Sequence, residues 1–493
     1  MGLLVLHDKD LPPGWIAVAL PVLCLGLGLT YILWIAVYNV FFHPLRAYPG
    51  PKLWAMTRLP YTRMFLSGDA HRRVLDLHKA YGPVVRVAPD TLSYSHPDAI
   101  KEIRGHRRAG RAEHGKDPVH MGHFRDNILG AGRADHARFR RALAHGFSAQ
   151  AMADQQPLIQ GYVDAMVRRL REECDGGERG LDMVQWFNYT TFDVIGDLAF
   201  GEPFGCLGDS VYHPWVALIF DSIKHLTWLS ALGRYPAVAP LLKRFLVPEG
   251  LAAKLVEHEQ LSAEKVRKRL ATGTDRPDFA LTFKELASHA SVLIVAGSET
   301  TATALSAATY YLGMNARALA ALTDEVRKTF SSEEEINLIS VQGLSYMLAV
   351  LDETLRMHPP VPSGQPRLIA EGGDVILGRY VPAGTKAEVW QWSLYHDPAC
   401  WTRPDDFIPE RWLGDPAFAN DKKEALQPFS VGPRNCIGKN LAYAEMRLIL
   451  ARLVWNFDIK LADETRGWDS RCKVYRLWEK GPVNVYLKPR NIS

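Results

Sequence analysis

One cysteine, Cys436, sits in "FSVGPRNCIGKN" between a Gly-Pro-Arg-Asn turn and an apolar helical run, "LAYAEMRLILARLV". Free cysteine usually packs as a small hydrophobe, so a lone thiol implies no chemistry without company. The six cysteines are Cys24, Cys174, Cys206, Cys400, Cys436 and Cys472, and the closest pair, Cys174 and Cys206, stands 32 positions apart. That spacing excludes C-x-x-C and zinc motifs and argues against a disulfide framework. A second candidate is "AGSETT", where Ser298, Glu299, Thr300 and Thr301 follow Ala296 and Gly297 inside "SVLIVAGSETTATALSAA", a run apolar on almost every side. Burying such a cluster is costly, and local rules broken in a core often mark function. The alternative is that the hydroxyls bond back to the preceding turn and only bend the helix.

A third candidate is charged. In "LDETLRMHPP", Glu353 and Arg356 share one helix face, and "FIPERW" adds Glu410, Arg411 and Trp412. A guanidinium can grip a carboxylate bidentately, although i to i+3 pairs are usually solvated decoration. Weaker matches fall away. Gly432, Gly438 and Lys439 imitate a phosphate loop, but five residues separate the glycines and Asn440 replaces the required Ser or Thr. "GAGRAD" lacks the third glycine of a dinucleotide fingerprint. His114, His120 and His123 lie in a polar loop without further metal ligands, and the sequon at Asn188 matters only in a lumenal segment.

These groups must be held by a mainly helical body. Apolar residues recur at helical spacing in "HRRVLDLHKAYG", "QQPLIQGYVDAMVRRLREEC", "WVALIFDSIKHLTWLSALG", "GLAAKLVEHEQLSAEKVRKRL" and "VQGLSYMLAVLDETLRMHPP". "GPVVRVAPDTLSYS", "DVILGRYVPAGTKAEVWQW" and "GPVNVYLKP" read as small sheets. The pattern around "AGSETT" predicts one helix from Thr282 to Thr329, opened by a Thr282/Glu285 capping box. "TGTDRPD", residues 272–278, is the expected internal loop and does not separate two domains.

The N-terminus sets the location. Trp15 to Phe42 carries no charge and exceeds the roughly 20 residues needed to cross a bilayer, too long for the apolar region of a cleaved signal peptide. Arg46, Lys52, Arg58 and Arg63 follow it, whereas the leader holds Asp8, Lys9 and Asp10, so the body is expected on the cytosolic side. The expected organisation is a short lumenal leader (1–14), a transmembrane anchor (15–42), a Pro-rich hinge (43–55) and one catalytic domain (56–493). With 58 basic against 54 acidic residues, the net charge of +4 gives no nucleic-acid signature.

In this order, "AGSETT", "ETLR", "PERW" and "FSVGPRNCIG" resemble the cytochrome P-450 family of heme-thiolate monooxygenases over nearly the whole chain. "YNVFFHPLRAYPGPKL" and "RADHARFRRALAHGFS" look like membrane-bound fungal members that decorate secondary metabolites. The resemblance implies a mainly α cytochrome P-450 fold with small sheets, a bound heme b whose axial thiolate comes from Cys436, and O2 as co-substrate. Electrons would come from NADPH through a separate membrane-bound reductase, since no flavin or nicotinamide fingerprint is present. It implies further that Phe429 shields the sulfur and that Gly432 and Gly438 leave room around it. Arg434, Arg367, Arg140 and His136 would reach the heme propionates; His136 stands where the family often has Trp. Ala296 and Gly297 would open space for dioxygen, Glu299 and Thr300 would be the acid-alcohol pair, and Glu353, Arg356 and Arg411 a structural triad. Segments His114–Asn127, Trp215–Pro236, Val361–Gln365 and Leu477–Gly481 would meet a small lipophilic substrate such as a terpenoid, polyketide or alkaloid. Arg138, Arg141, Lys422, Lys423 and Lys439 are candidates for reductase docking. The implied reaction is hydroxylation or epoxidation at the endoplasmic reticulum membrane. An isomerase or dehydratase that does not use O2, and a non-enzymatic heme or ligand carrier, remain as other readings.

Overall fold

The computed structural model describes residues 14–490 except 109, 125, 242–249 and 272–280. The expected leader and the "TGTDRPD" loop fall outside the described residues. The N-terminal apolar helix runs Gly14–Phe41, and its stretch Val18–Phe41 has mean hydropathy 2.2 with none of that window buried in the protein. Such a helix is long and apolar enough to anchor the chain in a bilayer.

The largest hydrophobic core lies between four helices: Met183–Phe200, Phe283–Met314 (the distal helix), Ser345–Met357 and Lys439–Asn456 (the cysteine helix). The distal helix opens as expected: Thr282 Oγ1 accepts from the Glu285 N–H at 3.3 Å and Glu285 Oε2 accepts from the Thr282 N–H at 2.7 Å. It does not continue to Thr329. Asn315 leaves helical conformation at φ −125°, and its side chain accepts from the Ala318 N–H at 3.1 Å, capping a separate helix Ala316–Thr329. An Asn side chain competes with the backbone for hydrogen bonds and favours such caps; a purely apolar periodicity passes over it.

Among the described residues, twelve short strands form four sheets. The largest has the order β1 (Val84–Ala88), β2 (Thr91–Tyr94), β8 (Lys386–Glu388), β5 (Arg367–Leu368), β3 (Gly115–Lys116). A second joins β4 (Gly180–Asp182), β12 (Asn484–Pro489) and β9 (Phe457–Leu461), and two hairpins are β6 (Asp374–Ile376) with β7 (Arg379–Val381), and β10 (Lys473–Tyr475) with β11 (Leu477–Glu479). The functional consequence is at the sheet edge, where β3 pairs β5 and sets Lys116 directly opposite Arg367. Like charges facing each other across a ladder are destabilising, so this pair marks a place built for anions.

Candidate active site

The loop before the cysteine helix is folded back on itself: the Cys436 N–H donates to the Phe429 carbonyl at 2.8 Å, and the Phe429 ring lies 5.2 Å from that of Tyr443. Gly432 makes the tight approach possible. Its φ is +78°, and a Cβ there would collide with the Arg104 carbonyl. At Gly438 an added Cβ would meet only the Phe147 ring, at 3.7 Å, so its bareness leaves space open to the cavity. The Cys436 side chain is exposed, but onto an internal cavity of about 870 Å³ rather than to the outside. Burial pushes its thiol up, and the Gly438 N–H with Arg140 and Lys439 pulls the other way. The cysteine helix begins at Lys439, so its positive end also favours a thiolate.

The same cavity is lined from the distal helix by Ala296, Gly297 and Thr300. Both readings of the polar cluster hold together. Ser298 Oγ donates to the Ile294 carbonyl at 2.5 Å and Thr300 Oγ1 to the Ala296 carbonyl at 2.7 Å, as helix-bending hydroxyls do, yet Thr300 remains open to the cavity. Gly297 lines the cavity beside Ala296 and also allows close helix packing, since a Cβ there would stand 2.9 Å from Ile195 on the crossing helix.

Glu299 does not stand free. Its Oε1 is paired with Lys480 and accepts from Thr303 Oγ1 at 3.2 Å, while Oε2 is buried with no partner; the side chains are 2% and 5% exposed. Lys480 follows β11 and was not anticipated from "LWEKGP", where nothing local marks a lysine aimed inward. A second unanticipated group is Glu445 on the cysteine helix, which meets Thr301 and lines the cavity. Burial pushes its carboxyl up to about 8, partly opposed by the Thr301 hydrogen bond. The fold therefore holds a proton there that the unfolded chain releases near 4.5, and stability falls as pH rises from about 4.5 to about 8, by up to ~1.4 kcal/mol per pH unit. Glu445→Gln is expected to flatten this slope, read as the thermal midpoint against pH; an unchanged slope would contradict the assignment.

Cations gather at one edge of the cavity. Arg434 pairs with Glu113 and donates to the Ala131 carbonyl at 2.8 Å. Arg367, 4% exposed, stands behind the lining and shares Glu113 at 3.7 Å. Lys116, a lining residue within the expected segment His114–Asn127, has its ammonium pKa driven well down by burial and by Arg367, Arg434 and Arg104, with Glu113 as the only opposing carboxylate among the named causes. Arg140 spends its donors on Asn435, the neighbour of Cys436, including 2.7 Å to its carbonyl. His136 is buried at the cavity wall and, through burial and then Arg434, is lowered to about 4 and so is neutral at pH 7. A thiol, a large apolar-walled cavity and an excess of cations at one edge fit a heme with its two propionates.

The charged triad is buried structure, away from the cavity lining. Glu353, Arg356 and Arg411 are each 0% exposed. Glu353 accepts from Arg356 at 2.8 and 3.0 Å, from Arg411 at 3.0 Å, from Trp412 at 2.9 Å and from the Ile408 N–H at 2.9 Å. Asp421, unforeseen, pairs Arg411 and balances the charge. Of the expected substrate segments, Lys116 to Asn127 in part, Leu226, Val361, Ser363, Gln365 and Leu477 reach the cavity, and His114 does not, being bonded to Asp374 at 2.9 Å. Among the described residues no three-ligand metal cluster exists, and the His123 side chain lies outside them. Asn188 is buried against Tyr212. Arg138 is engaged with Glu285 and Asp135.

Comparison with known proteins places this geometry. The family model for cytochrome P450 matches residues 48–485. The chain is 54% identical over 479 residues to the trichothecene C-15 hydroxylase of Fusarium sporotrichioides, covering 94% of this chain and 97% of that one. It is 45% identical to the averantin hydroxylase of Dothistroma septosporum, over 95% and 91% of the two chains, and 44% identical to the cytochrome P450 monooxygenase astJ of Aspergillus oryzae, over 93% and 95%. With a cysteine loop and Thr300 of the distal helix meeting at one cavity, and with this extent of similarity, the chain belongs to the cytochrome P450 family and is a heme-thiolate monooxygenase.

Proposed function

We propose that this protein hydroxylates a trichothecene-like terpenoid, with Cys436 as the residue that would hold the heme iron and Thr300 and Glu299 as the oxygen-side machinery. The observation that carries this reading is that Cys436 and Thr300 line one cavity of about 870 Å³ from two different elements. Bound heme supplies iron chemistry in which a thiolate ligand favours O–O cleavage. The chain's own part is to hold the sulfur as thiolate through the Gly438 N–H and the helix end, and Arg434, Lys116, Arg140 and His136 at the cavity wall, with Arg367 behind them, would hold the propionates of a bound heme. Thr300 Oγ1, fixed on the Ala296 carbonyl, positions a water or a proton at the cavity wall. Glu299 passes protons at Oε2 once its tie to Lys480 loosens.

In this reading the apolar N-terminal helix anchors the enzyme in the endoplasmic reticulum membrane with its body cytosolic, and a membrane-bound NADPH-dependent reductase supplies electrons. Arg141, Lys422, Lys423 and Lys439 are the candidate docking cations, Arg138 being tied to Glu285. The similarity to a trichothecene hydroxylase supports the substrate class. The test is reconstitution with reductase, NADPH, O2 and a trichothecene panel. One oxygen added per turnover is expected, and conversion without NADPH or O2 would sink the reading. Thr300→Ala is expected to keep NADPH consumption while product per NADPH falls roughly tenfold or more; full coupling in that variant would remove Thr300 from its role.

A further inference from the structure

We propose that the end of the cavity beside the β10–β11 turn is a polar subsite that anchors an uncharged oxygen acceptor of the substrate, such as a carbonyl, ester or epoxide, with Arg476 as its principal donor. The proposal rests on the monooxygenase reading and adds to it what the substrate must carry.

Arg476 is the single residue turning the hairpin between Tyr475 and Leu477, and its φ is +69°. That conformation suits glycine; an arginine kept there is strained and must be held by surrounding structure, and such strain clusters at ligand sites. Its guanidinium lines the cavity. One nitrogen, Nη2, donates to the His120 carbonyl at 2.8 Å and to Ser230 Oγ. Among the described residues, Nε and Nη1 have no hydrogen-bond partner, and Nε is fully covered. The neighbouring carboxylate, Asp117, is already paired with Arg234. Burial lowers the Arg476 pKa only to about 10, so the group remains a cation at neutral pH.

Three further polar side chains converge on the same corner. His120, Ser363 and Gln365 each line both the large cavity and a small side cavity of about 30 Å³, room for roughly two waters. None of the three side chains is given a hydrogen bond to another described residue, and Gln365 also has a left-handed backbone, φ +43°. Burial and then Arg476 keep His120 well below its usual pKa, hence neutral. Two strained non-glycine residues and four incompletely bonded polar groups converging at one end of the cavity make a recognition site. Unpaired donors in such a place are costly until a ligand acceptor meets them. Glu388, which lines the side cavity, accepts from Tyr61 and Trp390 and has its carboxyl raised by burial, while Arg234 beside it is paired with Asp117, so neither offers a free charge to a ligand.

The proposal places the enzyme after a step that has already installed oxygen on the substrate skeleton. It is tested on the heme-loaded enzyme by Soret-shift titration with nootkatone and valencene, sesquiterpenes of one carbon skeleton with and without a ketone. In wild type nootkatone is expected to bind more tightly than valencene. Arg476→Met is expected to weaken nootkatone roughly tenfold or more and to change valencene less than about threefold. Gln365→Leu is expected to act in the same sense more weakly, and it decides the matter if Arg476→Met does not fold. Equal effects on both ligands would overturn the subsite while leaving the monooxygenase reading intact. A wild-type protein with no thiolate-type spectrum would instead overturn that reading.

Discussion

Cys436→Ser is expected to abolish oxygenation, reducing product formation to background while the protein still folds. The cysteine loop is built by its backbone: Cys436 N–H to the Phe429 carbonyl, Gly432 against Arg104, Arg140 on Asn435. None of these contacts uses the sulfur, so serine can occupy the same position. What serine lacks is a readily ionised, polarisable ligand, since the thiolate and not the protonated group binds metal. The check is turnover with reductase, together with the electron paramagnetic resonance of the oxidised protein. Loss of both activity and the thiolate-type low-spin signal is the expected outcome, and a serine variant retaining that signal would remove Cys436 from its proposed role.

The second large effect concerns stability. Arg356→Leu is expected to destabilise the protein by about 3–5 kcal/mol, because it leaves the Glu353 carboxylate buried without its bidentate partner. The loss extends further, since Arg356 also donates to the carbonyls of Tyr395, Pro404 and Asp406 at 2.8, 2.6 and 2.9 Å, tying the Ser345–Met357 helix to the segment that carries Arg411. Arg356→Lys keeps a charge but cannot reproduce the fork and should fall between wild type and leucine. Thermal unfolding of the detergent-solubilised protein measures both, and a leucine variant with the wild-type midpoint would contradict a structural role. The same experiment on Arg434→Leu separates the two clusters: there heme retention, rather than the unfolding of the apoprotein, should suffer most.

Much of this was legible in the chain because it depends on local spacing. The helices from Ser345 and from Lys439, the Thr282 cap, the β1–β2 and β6–β7 pairs and the cysteine loop all follow from periodicity or turn residues within a few positions. The apolar N-terminal helix follows from composition alone. What was missed depends on contacts between distant segments. Lys116 and Glu113 acquire meaning only when β3 meets β5, Asp421 only when it closes on Arg411, and Lys480 only when the strand end after β11 reaches the distal helix. The packing role of Gly297 was out of reach for the same reason, its neighbour Ile195 lying on the crossing helix. Asn315 is the exception: its signal was local, a capping residue inside an apolar pattern, and periodicity overrode it.

The account stands most directly on the identity of the iron ligand, and one spectrum tests it without knowledge of the substrate. The expressed protein is reduced with dithionite and exposed to carbon monoxide. A strongly red-shifted Soret band, the mark of thiolate ligation, is the result predicted from Cys436 at the cavity wall. A band typical of histidine-ligated heme in folded protein would contradict it, since a histidine would then hold the iron in place of Cys436.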